Sequence, residues 1–502
     1  MARREYVSFL GERRRDISFT KRGSDPGRWV LVAVAIATIA ISVWWFGFRE
    51  TDRVVASERV LNDTTIPTLL MPSALEGSGV DEVEVSLDCP TLVEEWTMFQ
   101  GGIERTGCLN TLPITEPRIL WTTEIGITGW RNNPVIEDGA IFVGSAGVLQ
   151  FTRDRRDAIY SLDLRTGTQR WRYGTELDVN SVAVSDGIVI AVGDEGRIWG
   201  LRARDGELLW EDDLGVGVFG DPIFLDGTVI VGDGNGLVSA YEAETGEPAR
   251  AWGGRQPRLN GPIRGGASSD GELIYVASEF GEVMALTLEG QVEWEATLIP
   301  RDGDSLARVF AAPTVTDTMI ILSVIRGDVF GEPGLRALDK FTGDEVWASE
   351  DKAGIKPTWA NIRSSPAVAG DYLVFGEGYS DEVIVADLNT GETLWSLNAG
   401  SYCFPHWPSS VINNGVVYLA RHDGGLYAID LQSREEAWRI YLGNADGNGT
   451  FPADHTESDF CQWGPTTGNS ILGSPAVASN GVVVIGTLEG YIMAIGDANW
   501  ET

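Results

Sequence analysis

LRALDKFTGDEVW, residues 335–347, reads as a β-strand, a tight turn and the start of a second strand. Leu335, Ala337 and Asp339 alternate with Arg336, Leu338 and Lys340, the period of two that a strand requires. Thr342-Gly343 supplies a turn in which glycine takes a positive φ at no steric cost. Trp347 follows as a large apolar anchor on the outgoing strand.

The phrase recurs as SLDLRTGTQRW (161–171), GLRARDGELLW (200–210), AYEAETGEPARAW (240–252) and ALTLEGQVEW (285–294), then as VADLNTGETLW (385–395) and AIDLQSREEAW (428–438). The closing residues Trp171, Trp210, Trp252, Trp294, Trp347, Trp395 and Trp438 are 39, 42, 42, 53, 48 and 43 residues apart. A period of that length built only of short strands is the mark of a β-propeller, one four-stranded blade per repeat.

The chain ends supply the last blade. PRILWTTEIG (117–126) has an outgoing strand and its tryptophan, Trp121, but no turn phrase before it. Residues 474–496 read as three strands with no closing tryptophan. Pairing the two closes the ring and removes its exposed edges, so the expected fold is an all-β, eight-bladed propeller. Inner strands are announced at Pro134, Pro222, Pro313, Pro366 and Pro475. Hairpin turns follow at Asp186-Gly187, Asp226-Gly227, Asp270-Gly271, Asn414-Gly415 and Asn480-Gly481.

Outside the repeats, residues 29–48 form a run of 20 without a charge, with Trp29 at one end and Trp44, Trp45, Phe46 and Phe48 at the other. That is long enough for a membrane-spanning helix with interfacial aromatics. Residues 1–28 carry a net +4 and predict the N-terminus inside. A cleaved leader is the alternative, but the run is long for one and no small-x-small cleavage site follows it. No lipidation cysteine follows it either. The expected organisation is a basic cytoplasmic segment (1–28), a transmembrane helix (29–48), an extracytoplasmic stalk (49–94) and the propeller (95–502), a single-pass protein of the cell membrane. The net charge is −35 overall and −39 beyond residue 28, which excludes nucleic acid as a partner and suits a soluble exposed domain.

The turn phrase A-x-D-x-x-T-G-x-x-x-W resembles the tryptophan-docking repeat of the PQQ-type propellers. That superfamily includes quinoprotein alcohol dehydrogenases and BamB-type outer-membrane assembly propellers. Glu95–Leu109, EWTMFQGGIERTGCL, looks like the segment that opens such domains. The resemblance covers residues 95–502 and implies the fold. For its dehydrogenases it implies a quinone held on Ca²⁺ in the axial funnel under a ring-like disulfide of two adjacent cysteines. This sequence has no adjacent cysteine pair, and no catalytic residue can be carried over.

The cysteines are Cys89, Cys108, Cys403 and Cys461. An even number outside the membrane suggests disulfides. Four allow three connectivities, and the preferred one is 89–108 with 403–461. No C-x-x-C spacing points to metal. The histidines, His406, His422 and His455, fall in the last two repeats. So does the longest insertion, 443–473, whose NADGNGT lacks the bidentate Glu of a Ca²⁺ loop.

Just before the inner strands, where a propeller chain reaches the mouth of its channel, lie Arg131, Asn132, Asn133, Asn180, Asp221, Arg264, Arg308, Phe310, Arg363, His406 and Trp407. Trp130, Trp359 and Trp463 are close by in sequence. Arginine forks suit carboxylates and phosphates, and indole faces suit flat rings or sugars. These residues predict an anionic or peptide-like ligand at the mouth. The opposing reading pairs the arginines with neighbouring acids. The expected function is a membrane-anchored binding or scaffold module for an extracytoplasmic protein or an anionic small molecule, with no cofactor. The alternative is a dehydrogenase using PQQ and Ca²⁺.

Overall fold

The computed structural model describes residues 87–90, 94–128, 132–148, 150–298, 307–326, 333–349, 364–376, 382–399, 408–421, 424–442, 471, 473–498 and 500. The segment 29–48 lies outside them. Among the described residues no helix is long and apolar enough to cross a membrane.

Among the described residues eight sheets follow one another in chain order, antiparallel except where Cys108–Leu109 joins blade 7 in parallel. Their inner strands are Val135–Glu137, Val179–Ser185, Ile223–Leu225, Ala267–Ser269, Thr314–Val315, Ala367–Ala369, Val411–Asn413 and Ala476–Val477, for blades 1 to 8. The turns after the inner strands are short because both residues at Asp186-Gly187, Asp226-Gly227 and Asn414-Gly415 take positive φ. That is the twist a two-residue hairpin needs. At Asp270-Gly271 and Asn480-Gly481 only the glycine does so.

Outer strands close each blade and carry the tryptophans. In seven blades the outer strand has a bulge at the residue just before its indole. Trp171 faces Ser161 while Gln169 faces Leu162, so Arg170 is the extra residue. Leu209, Glu293, Val346, Leu394, Ala437 and Leu120 hold the same place in the other six. An extra residue re-aims the next side chain. The indole therefore turns toward the neighbouring blade, and Leu209, Val346 and Leu394 are left in solvent. Blade 3 departs from the predicted pattern. Pro248 has no N–H for a ladder, the sheet stops at three strands, and Trp252 arrives on a 3-10 turn, Arg250–Trp252.

All the indoles but that of Trp395 then bond across a seam. The Nε1–H groups of Trp121, Trp171, Trp210, Trp252, Trp294 and Trp347 donate to the carbonyls of Leu164, Ala203, Ala243, Leu288, Lys340 and Leu388 at 2.7 to 3.1 Å. The turn glycine of the next blade lies under the ring. A Cβ on Gly391 would come within 2.6 Å of Trp347, and one on Gly206 within 2.7 Å of Trp171. At the seam between blades 6 and 7 the glycine is replaced by Arg434, which keeps the left-handed backbone at φ 60°. There the buried Nε1 of Trp395 has no hydrogen-bond partner among the described residues.

Blade 8 is closed as predicted, with Arg118–Glu124 pairing antiparallel to Tyr491–Gly496. The missing turn is rebuilt from both chain ends. In the intact turns Asp163, Asp339 and Asp387 accept the amide three residues on. Asp497 accepts the amides of Thr115 and Glu116 instead, and the Ile114 carbonyl receives the indole of Trp438 at 2.6 Å.

The opening segment is the ring's axle. Its carbonyls accept amides from successive inner strands: Trp96 from Ile136, Thr97 from Val184, Ile103 from Ser269, Glu104 from Val315, Thr106 from Val368 and Gly107 from Ile412. The Phe224 amide of blade 3 lies against Met98 Sδ. Two residues later, Gln100 reaches the carbonyls of Ser365 and Ser410 in blades 6 and 7. The chain therefore crosses the axis and closes the end where the inner strands finish. Arg105, fully buried, donates to the carbonyls of Phe99, Asp221, Pro222 and Ala267. Burial lowers its pKa to about 10, with Asp221 and Glu104 opposing the shift, so it stays charged at neutral pH.

Two stability measurements check these contacts by chemical denaturation. Trp347→Phe is expected to cost about 1 kcal/mol, one buried hydrogen bond. Trp395→Phe, which has none to lose, should lie within about 0.5 kcal/mol of wild type. Arg105→Met orphans four carbonyls and is expected to cost at least about 3 kcal/mol; a loss below about 1 kcal/mol would contradict the role given to Arg105.

Candidate functional site: the channel mouth

The inner strands begin at the end opposite the opening segment, and the predicted mouth residues gather there in pairs rather than as one cluster. Asn133 accepts the Ser474 amide at 2.7 Å, joining blade 1 to blade 8. A relay continues from it, Ser409 N to Ser474 Oγ and Ser365 N to Ser409 Oγ, both at 2.9 Å. Asn132 donates to the Val179 carbonyl, while its Oδ1, buried against Gly144, has no partner among the described residues. Asn180 donates to Asp194 at 2.6 Å and to the Val218 carbonyl at 2.8 Å. Asp221 accepts Ser181 Oγ. Arg131, Arg363, His406 and Trp407 lie outside the described residues, as do Trp130, Trp359 and Trp463.

Arg264 and Arg308 do converge, on a residue that sequence reasoning missed. Glu279 accepts from Arg264 at 2.9 Å through Oε2 and from Arg308 at 3.0 Å through Oε1, with its own side chain 2% exposed. Arg264 also lies over the ring of Phe219, 4.4 Å from its centroid. Asp194, Asp233 and Glu279 occupy the same turn in blades 2, 3 and 4. Asp233 folds back onto the amides of Asn235 and Leu237. In blade 4 Ser278 holds the place of Asp233, its hydroxyl accepting the amides of Phe280 and Glu282, and Glu279, the next residue, is left to meet the arginines. For these two arginines the pairing with a neighbouring acid holds.

The same end carries a second, acidic patch between blades 1 and 2. Asp178 accepts the Phe151 amide at 2.5 Å, Asp157 accepts the Asp154 amide at 2.8 Å, and Asp154 holds the amides of Val148 and Arg156. Burial pushes the Asp178 carboxyl up to about 7, with Asp194, Asp157 and Asp154 adding to the shift. Burial also raises Asp157. These acids pin the turn after Ala140–Ala146, leaving Val148 and Phe151 63% and 62% exposed. Phe280, beside Glu279, is 43% exposed at the same end.

The cysteine at the start of the ring is paired as preferred: Cys89 and Cys108 form a disulfide. Cys403 and Cys461 lie outside the described residues. A Ca²⁺-borne quinone would need several convergent free oxygens. Glu279 gives both of its oxygens to guanidinium groups. Among the described residues no group of three or more His, Cys, Asp or Glu side chains is arranged to hold a metal ion. The described mouth does not fit that cofactor.

Comparison with known proteins agrees with this architecture. A family model described as outer membrane protein assembly factor BamB matches residues 155–257 and 249–438, more than half of the chain. Outer membrane protein assembly factor BamB of Burkholderia pseudomallei is 26% identical over 332 residues, 63% of this chain and 80% of the relative. The structure of BamB from Moraxella catarrhalis superposes with a TM-score of 0.55 at 14% identity, covering 76% of this chain and all of that one. The quinohemoprotein alcohol dehydrogenase of Comamonas testosteroni gives 0.58 at 15% identity over 82% of each chain. At such identities the two structures speak to the fold alone.

The acidic patch makes stability depend on pH. A carboxyl whose folded pKa is raised holds its proton more tightly folded than unfolded, so stability falls as pH climbs from about 4 to about 7. Asp178→Asn removes this loss. Its thermal midpoint should exceed that of wild type at pH 8 and not at pH 4; the same offset at both would overturn the assignment.

Proposed function

The chain belongs to the PQQ-type propeller family that includes outer membrane protein assembly factor BamB, and from that premise we propose that it is a protein-binding scaffold whose recognition surface is the channel mouth. The ring is held to the membrane by residues 29–48, with residues 1–28 inside, 49–94 as a stalk and the propeller on the extracytoplasmic side. The basic excess before the apolar run supports that orientation. A disulfide at the start of the ring suits an oxidising compartment.

The observation that carries the choice of surface is the contrast between the two ends of the channel. At one end the opening segment consumes the backbone groups of the inner strands. At the other, Val148 and Phe151 by blades 1 and 2 and Phe280 beside Glu279 stand in solvent, and Arg264 and Arg308 pair with Glu279 at that same end. Exposed aromatics beside arginine are the composition of protein interfaces. Arg264 and Arg308 give the partner's carboxylates a place to dock, with Glu279 setting their orientation. Arg131, Asn133, Asn180, Asp221, Arg363, His406 and Trp407 complete the surface in this reading. A PQQ- and Ca²⁺-dependent dehydrogenase is the weaker reading, because the described acids at the mouth are already engaged.

Site-specific photocrosslinking in intact cells tests this. A photoreactive residue at Phe151 or Phe280 is expected to capture one discrete protein, and Arg264→Ala is expected to cut the yield at least about tenfold, the loss of a buried interfacial charge pair. The same probe at Phe341, on the turn at the opposite end, should capture nothing. Equal capture from all three positions, or none from any, would rule out the mouth as the docking surface.

A further inference from the structure

We propose that the Cys89–Cys108 disulfide is a redox latch on the seam between blades 6 and 7, standing in for the indole dock that Arg434 disables there. The weakness of that seam follows from geometry. Six turn glycines lie so close under the preceding blade's indole that a Cβ on any of them would meet the ring at 2.4 to 2.7 Å. Arg434 keeps the turn, with its amide donating to the Asp430 carbonyl at 2.9 Å, but it carries that Cβ. Trp395 cannot settle onto it, and its Nε1 is buried without a hydrogen-bond partner among the described residues.

The disulfide brings other contacts to this same seam. Residues 87–90 lie across it. The Asp88 carbonyl accepts the Gly370 amide of blade 6 at 2.8 Å, and Leu87 lies against Gly415 of blade 7. Cys89 and Cys108 pack in one apolar cluster with Ala367, Ala369 and Tyr372 of blade 6 and Ile412, Val417 and Leu419 of blade 7. Trp395 borders the cluster. Cys108 in turn pairs in parallel with Ile412 on the inner strand of blade 7. The bond thus ties a strip of chain laid over the seam to a strand fixed inside it.

Reduction by an external dithiol would break the sulfur–sulfur bond. Two electrons and two protons pass to the cysteines, leaving two thiols, and the reductant leaves as its own disulfide. Residues 87–90 then lose their covalent tie, and this seam opens before the others, which keep their indole docks.

Hydrogen exchange of the full chain, with and without dithiothreitol, tests the latch. On reduction, amides in 367–376 and 411–420 are expected to exchange at least about tenfold faster, while 182–193 and 223–232 in blades 2 and 3 hold their rates. Cys89→Ser with Cys108→Ser should show the fast rates without reductant. Arg434→Gly restores the floor under Trp395 and is expected to shrink the effect of reduction below about threefold. That variant also separates this seam from any contribution of Cys403 and Cys461, and it decides the matter should the serine variant fail to fold. Unchanged rates at the seam, uniform acceleration around the ring, or an effect indifferent to Arg434→Gly would each overturn the proposal.

Discussion

A closed ring of sheets is only as firm as its seams, and at six seams of this chain an indole lies on a bare glycine with its N–H on the next carbonyl. The arrangement constrains both partners. The glycine must have no Cβ, because the ring occupies that space, and the indole must be turned sideways out of its own sheet. The bulge before each tryptophan meets the second demand in the seven blades whose outer strand pairs in the sheet. Blade 3 meets it differently, delivering Trp252 on a 3-10 turn that still reaches the Leu288 carbonyl at 3.0 Å. The dock survives when the strand does not, so the seam rather than the strand count is what the repeat preserves.

The opening segment solves a separate problem. Blades packed side by side leave inner strands whose amides face the axis, and a buried amide without an acceptor is costly. A single stretch of chain supplies carbonyls to inner strands in six blades, and Arg105 serves carbonyls of blades 3 and 4 in return. This explains why so polar a segment is buried. Gln100, Arg105 and Thr106 are all almost inaccessible, and a side chain as large and charged as Arg105 is tolerated only because every direction it faces ends in an acceptor.

The ring was legible in the sequence because its signals are local. Turn, glycine and tryptophan lie within a dozen residues of one another, and the orphan strand around Trp121 announced the closure. The Cys89–Cys108 pairing was legible for the same reason. What was not legible is whatever depends on which blades end up as neighbours. Arg264, Glu279 and Arg308 are spread over two blades, and nothing local says that one carboxylate serves both guanidinium groups. The residues before the inner strands therefore allowed both free arginines and arginines paired with neighbouring acids; at these two positions they share one carboxylate, which orients both and leaves one net positive charge. Pro248 was a visible warning that the outgoing strand of blade 3 could not pair in full. Arg434 in place of glycine was equally visible, yet its meaning rests on Trp395, a residue of the previous blade.

Closure also fixes the order in which parts of the ring can become stable. Thr115 and Asp497 are 382 residues apart, and Ile114 and Trp438 are 324 apart. Neither pair can form until nearly the whole chain is present. The carbonyls of the opening segment have their partners in blades 1, 2 and 4 to 7, so the first residues of the ring are the last to be fully engaged. Contacts of such separation are entropically expensive to make and slow to assemble. Until they form, Tyr491–Gly496 presents an unpaired edge, the kind of surface that invites pairing with another chain. The Cys89–Cys108 bond spans only 19 residues and shortens this search. It holds residues 87–90 beside the strand that will seat them, so that seating the opening segment on blade 7 brings the strip over the blade 6 seam with it.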